Sequence, residues 1–172
     1  MTTCAECGFE YDLSLAPSVP QLALDAADAY GPLLRADAAV LRRRPAPQVW
    51  SPLEYACHVR DVLFVQRERA LAALRTNTPV AEPMGRDERV EHDGYAEQQP
   101  ADVARQLRDG ALMFGHVLGK LSPAGWDRTL VYSFPERAER SLRWLAVHTL
   151  HELRHHLLDV RRAVDAQNAL QS

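Results

Sequence analysis

"HTLHELRHH", residues 148–156, holds four of the chain's seven histidines. It lies inside a helical pattern that begins near Ser141 as cap and runs to about residue 166. Residues four apart on a helix share a face, with about 5–6 Å between Cβ atoms. His151 and His155 form such a pair. Two imidazoles at that spacing can reach one metal ion, about 2.0–2.1 Å from each nitrogen. A polar, solvated helix face is the other reading of H-x-x-x-H. The same letters contain HELRH, the H-E-x-x-H pattern of zinc proteases. A protease of that kind needs a third ligand downstream. The chain has neither H-E-x-x-H-x-x-G-x-x-H nor any glutamate after Glu152, and no strand clearly precedes the helix. The protease reading is therefore set aside.

Working outward, "WSPLEYACHVRDVLFVQRERALAAL" spans residues 50–74. Ser51 is a good N-cap and Pro52 a good first helical residue. A first helix fits about 20–43, kinked at Gly31-Pro32 and stopped by Pro45 and Pro47. A third fits about 101–121, after Pro100. Residues 76–99 form a long polar connection, and such loops are often functional. Thr129 to Phe134 fits one short extended segment. Four long helices without a competing strand set predict an all-α four-helix bundle with a short irregular N-terminal segment. The expected division is 1–19, irregular and carrying C-x-x-C; 20–166, the helical metal-binding domain; and 167–172, a tail. Long connections at 44–51 and 76–100 allow a topology other than simple up-and-down.

His58 lies with Val62 and Val65 at i, i+4 and i+7, so it points along an apolar stripe. A lone histidine there is more often a satisfied core residue than a ligand. An H-x-x-x-H pair in the same bundle shifts that balance, because bundles build metal sites from facing helices. The expected ligand set is His58, His151 and His155. Three protein ligands leave a position open, the catalytic arrangement. Zinc is favoured, and nickel, iron or copper suit the same donors. Glu54 and Asp61, at i−4 and i+3 of His58, are candidates to orient its ring, with ordinary surface carboxylates as the other reading. His148 is a candidate to support the site or replace one ligand. His156, one step round the helix, is expected outside it. Glu152 lies about 100° from His151 and is expected to touch the site only obliquely. Cys4-x-x-Cys7 has zinc-knuckle spacing, but no second C-x-x-C follows. Half a metal site, a redox pair and two inert thiols all stay open for it. Cys57 reads as a small core residue.

The 172 residues are 47% hydrophobic and 25% charged, with a net charge of −3, the profile of one soluble domain. That charge makes nucleic acid an unexpected partner. No run of about 18 apolar residues suggests a membrane span. The N-terminus has no charged segment followed by an apolar one, so the expected location is the cytoplasm. Three cysteines do not suggest a disulfide framework. Lys120 is the sole lysine beside the arginines, a bias that reads as a GC-rich genome.

"WSPLEYACHVRDVL" with His58, and "LHELRHHLLDV" with His151 and His155 at the end of a four-helix chain, resemble the DinB-like superfamily over roughly residues 20–166. The resemblance implies a metal-binding four-helix bundle. It also implies a range of chemistries, including S-transferases using bacillithiol or mycothiol and mycothiol-dependent maleylpyruvate isomerases. The family's three-histidine pattern maps onto His58, His151 and His155. The isomerase branch typically has a glutamate in place of one fourth-helix histidine, so histidine at both positions favours the transferase branch. The expected function is a metal-dependent S-transferase joining a low-molecular-weight thiol to an electrophilic small molecule. Genome-like composition and the resemblance together make mycothiol the expected thiol. A hydrolase using metal-bound water, or a non-catalytic metal-binding stress-response bundle, are the alternatives. The 76–100 loop and the 122–140 segment are expected to rim the pocket, and a homodimer stays open as a partner state.

Overall fold

The computed structural model describes residues 3–133 and 136–169. Phe134 and residues 170–172 of the expected tail lie outside the described residues. A 3-10 turn, Leu13–Ser18, leads into α1 (Val19–Asp28), α2 (Tyr30–Leu33) and α3 (Ala38–Arg42). The single kinked helix expected over 20–43 is thus three helices. Pro32 brings no backbone N–H, and the Asp37 side chain starts a new helix by accepting the Ala39 amide at 2.8 Å.

α4 (Pro52–Arg75) has the best-defined start in the chain. The Ser51 hydroxyl accepts the Glu54 amide at 3.2 Å, and the Glu54 carboxylate accepts the Ser51 amide at 2.8 Å. Both otherwise unpaired donors are satisfied reciprocally, the capping-box arrangement. Arg44 pairs with the same carboxylate at 2.6 Å, tying the start of the preceding loop to the helix N-terminus. α5 (Arg86–His92) and a 3-10 turn, Tyr95–Glu97, follow. The 76–99 connection is therefore partly ordered. Tyr95 is buried and donates to Asp61 at 2.7 Å, and Arg89 reaches the same oxygen at 3.1 Å.

α6 (Pro100–Leu118), α7 (Pro123–Trp126), β1 (Thr129–Tyr132), β2 (Ala138–Ser141) and α8 (Leu142–Ala169) complete the chain. α4 packs on α6 and α8, and α1 packs on the same two, which makes the four-helix bundle. Leu53, Val59 and Leu63 of α4 meet Leu107 and Phe114 of α6, and Leu145, Leu150 and Leu153 of α8, in one apolar core. At Gly110 an added Cβ would stand 3.2 Å from the Leu63 Cβ, so this glycine sets how closely α6 approaches α4. The extended segment expected near 129–134 is one arm of an antiparallel pair, with Thr129 opposite Ser141 and Tyr132 opposite Ala138. Val80 bridges to Val131 and fastens the connection after α4 to this hairpin. No helix among the described residues is long and apolar enough to cross a membrane.

Ser51 fixes where α4 begins and hence where His58 falls along it. Ser51→Ala should lower stability by about 1 kcal/mol in urea unfolding, with an unchanged m-value.

Candidate metal centre

α8 lies between α4 on one side and the N-terminal segment on the other. Adjacent residues on a helix differ by about 100°, so its ligand types divide between two edges. Glu152 and His156, four apart, meet His58 of α4: one donor atom from each lies within 4.8 Å of the other two. The His58 and His156 rings stand 5.1 Å apart, nearly perpendicular. His151 and His155, also four apart, meet Cys4 and Cys7 instead. The structure thus divides the set His58, His151 and His155 between two clusters. His156, expected to point elsewhere, faces His58. Glu152, expected to touch obliquely, stands at the centre.

The Glu152 carboxylate is shared among histidines. Its Oε2 is 3.6 Å from His156 Nε2; its Oε1 is 3.2 Å from His151 Nδ1 and 4.0 Å from His148 Nε2. Burial by itself would raise this acid, but hydrogen bonds from His151 and His156 and the nearby imidazoles outweigh it. They hold the acid well below the usual carboxylate range. Burial pulls the His156 ring down, yet Asp159, 2.9 Å from Nδ1, and Glu152 more than compensate and hold it at about 9. His58 is driven the other way. Burial, reinforced by the charge of His156, depresses it to about 4. Its Nδ1 is buried without a hydrogen-bond partner. A buried polar atom left unpaired is costly and rare, and at a ligand position it fits a donor held for an ion. Two imidazoles and a carboxylate suit zinc or iron(II) with positions left open. The donors present therefore fit a divalent ion.

The supporting residues fall differently from expectation. Glu54 is engaged with Ser51 and Arg44, and Asp61 with Arg60 at 2.8 Å, Arg89 and Tyr95. Neither is the partner of His58 Nδ1. His148 is buried in an aromatic stack, 4.5 Å from Trp144, with its Nδ1 2.9 Å from the Tyr11 hydroxyl. Burial depresses it to about 4, so it is neutral there. Cys57 is a fully buried core residue. Around the three converging donors, Trp50 lies 5.2 Å from His58 and Tyr55 stacks on His156 at 5.3 Å. Arg86 of α5 stands 5.6 Å over the Trp50 ring. The 76–100 connection thus reaches this mouth. The 122–140 segment instead brings Tyr132 against Trp144 and His148. A groove of about 570 Å³ between α4 and residues 79–84 contains none of the donors, so its size says nothing of the centre.

A DinB superfamily model matches residues 23–160. The chain belongs to the DinB superfamily. The matched span holds His58, Glu152 and His156, together with His151 and His155; Cys4 and Cys7 precede it. YfiT from Bacillus subtilis, described as a probable metal-dependent hydrolase with an unusual four-helix bundle topology, is similar in structure to this DinB chain. Its TM-score is 0.75 at 14% identity, over 87% of each chain. At that identity the likeness speaks for the fold. No curated protein matches the chain.

"HELRHH" contains two ligand pairs at i, i+4, Glu152 with His156 and His151 with His155, one residue out of step. Spacing alone offers no choice between them, because only the packing of α8 shows which edge meets α4. In the metal-free protein the His156 ring should titrate near 9 and His58 near 4, followed by histidine carbon–proton NMR. Asp159→Asn should bring the His156 value down. Since the folded-state value of His156 is raised above 6.5, its stabilisation is fully present below about pH 6.5 and is lost as pH rises through about 9.

Proposed function

We propose that this DinB protein is a metal-dependent enzyme that sets a low-molecular-weight thiol against an electrophilic small molecule, with one divalent ion on His58, Glu152 and His156. The convergence of these three donors beside the Trp50 and Tyr55 rings carries the reading. A divalent ion held by His58, Glu152 and His156 would supply Lewis-acid chemistry that lowers the pKa of a thiol at the site.

The chain's own residues do the rest. Asp159 holds the His156 Nδ1–H and so turns Nε2 toward Glu152 and the centre. Glu152 stays ionised and lowers the charge of the site. Trp50 and Tyr55 place aromatic faces against His58 and His156. Arg86 over Trp50 places a guanidinium where an anionic group of thiol or substrate would enter. Zinc is the favoured ion and mycothiol the favoured thiol.

Glu152 among the donors changes the balance between branches. A glutamate in place of one fourth-helix histidine is the isomerase-like pattern, so the ground for preferring transfer over isomerisation falls away. Both begin with thiolate attack on an electrophilic carbon. They differ in whether the thiol stays on the product. Hydrolysis at the same donors is the second reading, favoured by the description of YfiT as a probable metal-dependent hydrolase.

The test is one assay on wild type, His58→Ala and His156→Ala, with a conjugated maleyl-type electrophile and an ester, each with and without thiol. Thiol-dependent turnover that falls at least about 100-fold in both variants supports the proposal. A thiol adduct as product marks transfer, and a trans alkene with the same carbon skeleton and free thiol marks isomerisation. Ester turnover that ignores thiol and is lost in the same variants overturns it in favour of hydrolysis. Asp159→Asn should weaken ion binding at this centre about 10–100-fold while leaving the fold intact.

A further inference from the structure

The proposed chemistry leaves Cys4-x-x-Cys7 and the pair His151 and His155 unused. One donor atom from each of the four lies within 4.8 Å of the others. We propose that Cys4, Cys7, His151 and His155 bind a second divalent ion, zinc, in a closed structural site that clamps the N-terminal segment onto α8.

The N-terminal half of this site is a tight knuckle. The Cys4 amide donates to the Phe9 carbonyl at 2.9 Å and the Gly8 amide to the Cys4 carbonyl at 2.9 Å. A bridge between Thr3 and Glu10 closes the loop. Gly8 has φ +71°, and a Cβ there would meet nothing within 4 Å, so the left-handed backbone and not space is what asks for glycine. The turn returns Cys7 beside Cys4 with both thiols toward α8. Phe9 seats the knuckle, its ring 5.3 Å from His151.

The other half comes from the helix. Tetrahedral zinc with bonds of about 2.3 Å to sulfur and 2.0–2.1 Å to nitrogen sets sulfur and nitrogen about 3.6 Å apart. Cys4 Sγ lies 3.8 Å from His155 Nδ1. The far nitrogen of that ring, Nε2, is 3.4 Å from Glu6 and 3.7 Å from Asp159. His151 has the complementary arrangement. Its Nδ1 is 3.0 Å from the Tyr11 hydroxyl and 3.2 Å from Glu152, while its Nε2 is buried with no hydrogen-bond partner. Each imidazole thus has one nitrogen tied to an oxygen and the other left for the thiol cluster, the arrangement that fixes metal-bound histidine rings. Two thiolates balance a divalent charge in a half-buried place. Two sulfurs and two nitrogens in a tetrahedron select zinc, and four protein ligands leave no open position, which makes the site structural. This donor set shares no residue with His58, Glu152 and His156.

The full chain loaded with cobalt(II) tests the site directly. Wild type should show intense thiolate-to-cobalt charge-transfer absorption and bind about two ions per chain. Cys4→Ser with Cys7→Ser should lose that absorption and one ion, keeping the other. His58→Ala should lose one ion and keep the absorption. One ion with the absorption in wild type would leave this site standing and remove the centre at His58. One ion without it, or absorption that survives in the double variant, overturns the proposal. So does a wild-type protein that, isolated under reducing conditions, holds Cys4 and Cys7 as a disulfide and takes up no ion there. The wild-type spectrum decides even if the double variant fails to fold.

Discussion

The carboxylate of Glu152 is held ionised among three imidazoles, those of His148, His151 and His156. A buried carboxylate is tolerable only when every lone pair meets a donor or a cation. Glu152 meets this demand by facing two ways. One oxygen turns toward His156 and the α4 side, the other toward His151 and the N-terminal side. Asp159, about two turns further on, repeats the pattern between His156 and His155. The two acids therefore hold four rings of α8 in orientation. Both histidine clusters contact the Glu152 carboxylate.

That demand explains why the bundle is built as it is. α8 needs α4 on one edge and a further element on the other. α4 arrives in register because its first turn is locked by Ser51, Glu54 and Arg44. The N-terminal segment arrives because Tyr11 bonds both His148 and His151, and Phe9 packs on His151. Asp61 spends its charge on Arg60, Arg89 and Tyr95, which holds the ordered part of the 76–99 connection against α4 and lets Arg86 stand over Trp50. Trp50, Tyr55 and, over Trp50, Arg86 thereby stand beside His58 and His156.

Much of this was legible. The proline and cap signals at Ser51-Pro52 and at Pro100, the apolar stripe carrying His58, and the dense histidines of α8 marked the bundle and the helices that carry the centre. The hairpin partner of Thr129–Tyr132 was not legible, because Ala138–Ser141 has an unremarkable strand pattern and pairs only by folding back. The break of the first helix was half legible: Gly31-Pro32 was seen, but the fresh cap at Asp37 was not. Glu54 and Asp61 were plausible neighbours of His58 by spacing. Their actual partners, Arg44, Arg60 and Arg89, could be known only once distant segments had met.

The helical fold and the stretches that hold the ligand-type side chains are written in the sequence, since they rest on local periodicity, capping and short-range spacing; the family follows from likeness to the DinB superfamily over residues 23–160. Only the packed fold shows which letters of "HELRHH" lie beside which neighbours. Helical spacing is blind to rotation about the axis: Glu152 with His156 and His151 with His155 satisfy i, i+4 equally and differ by a turn of about 100°. Only the docking of α8 between α4 and the cysteine knuckle fixes that rotation. It places the acid and His156 beside His58, and the other pair beside Cys4 and Cys7.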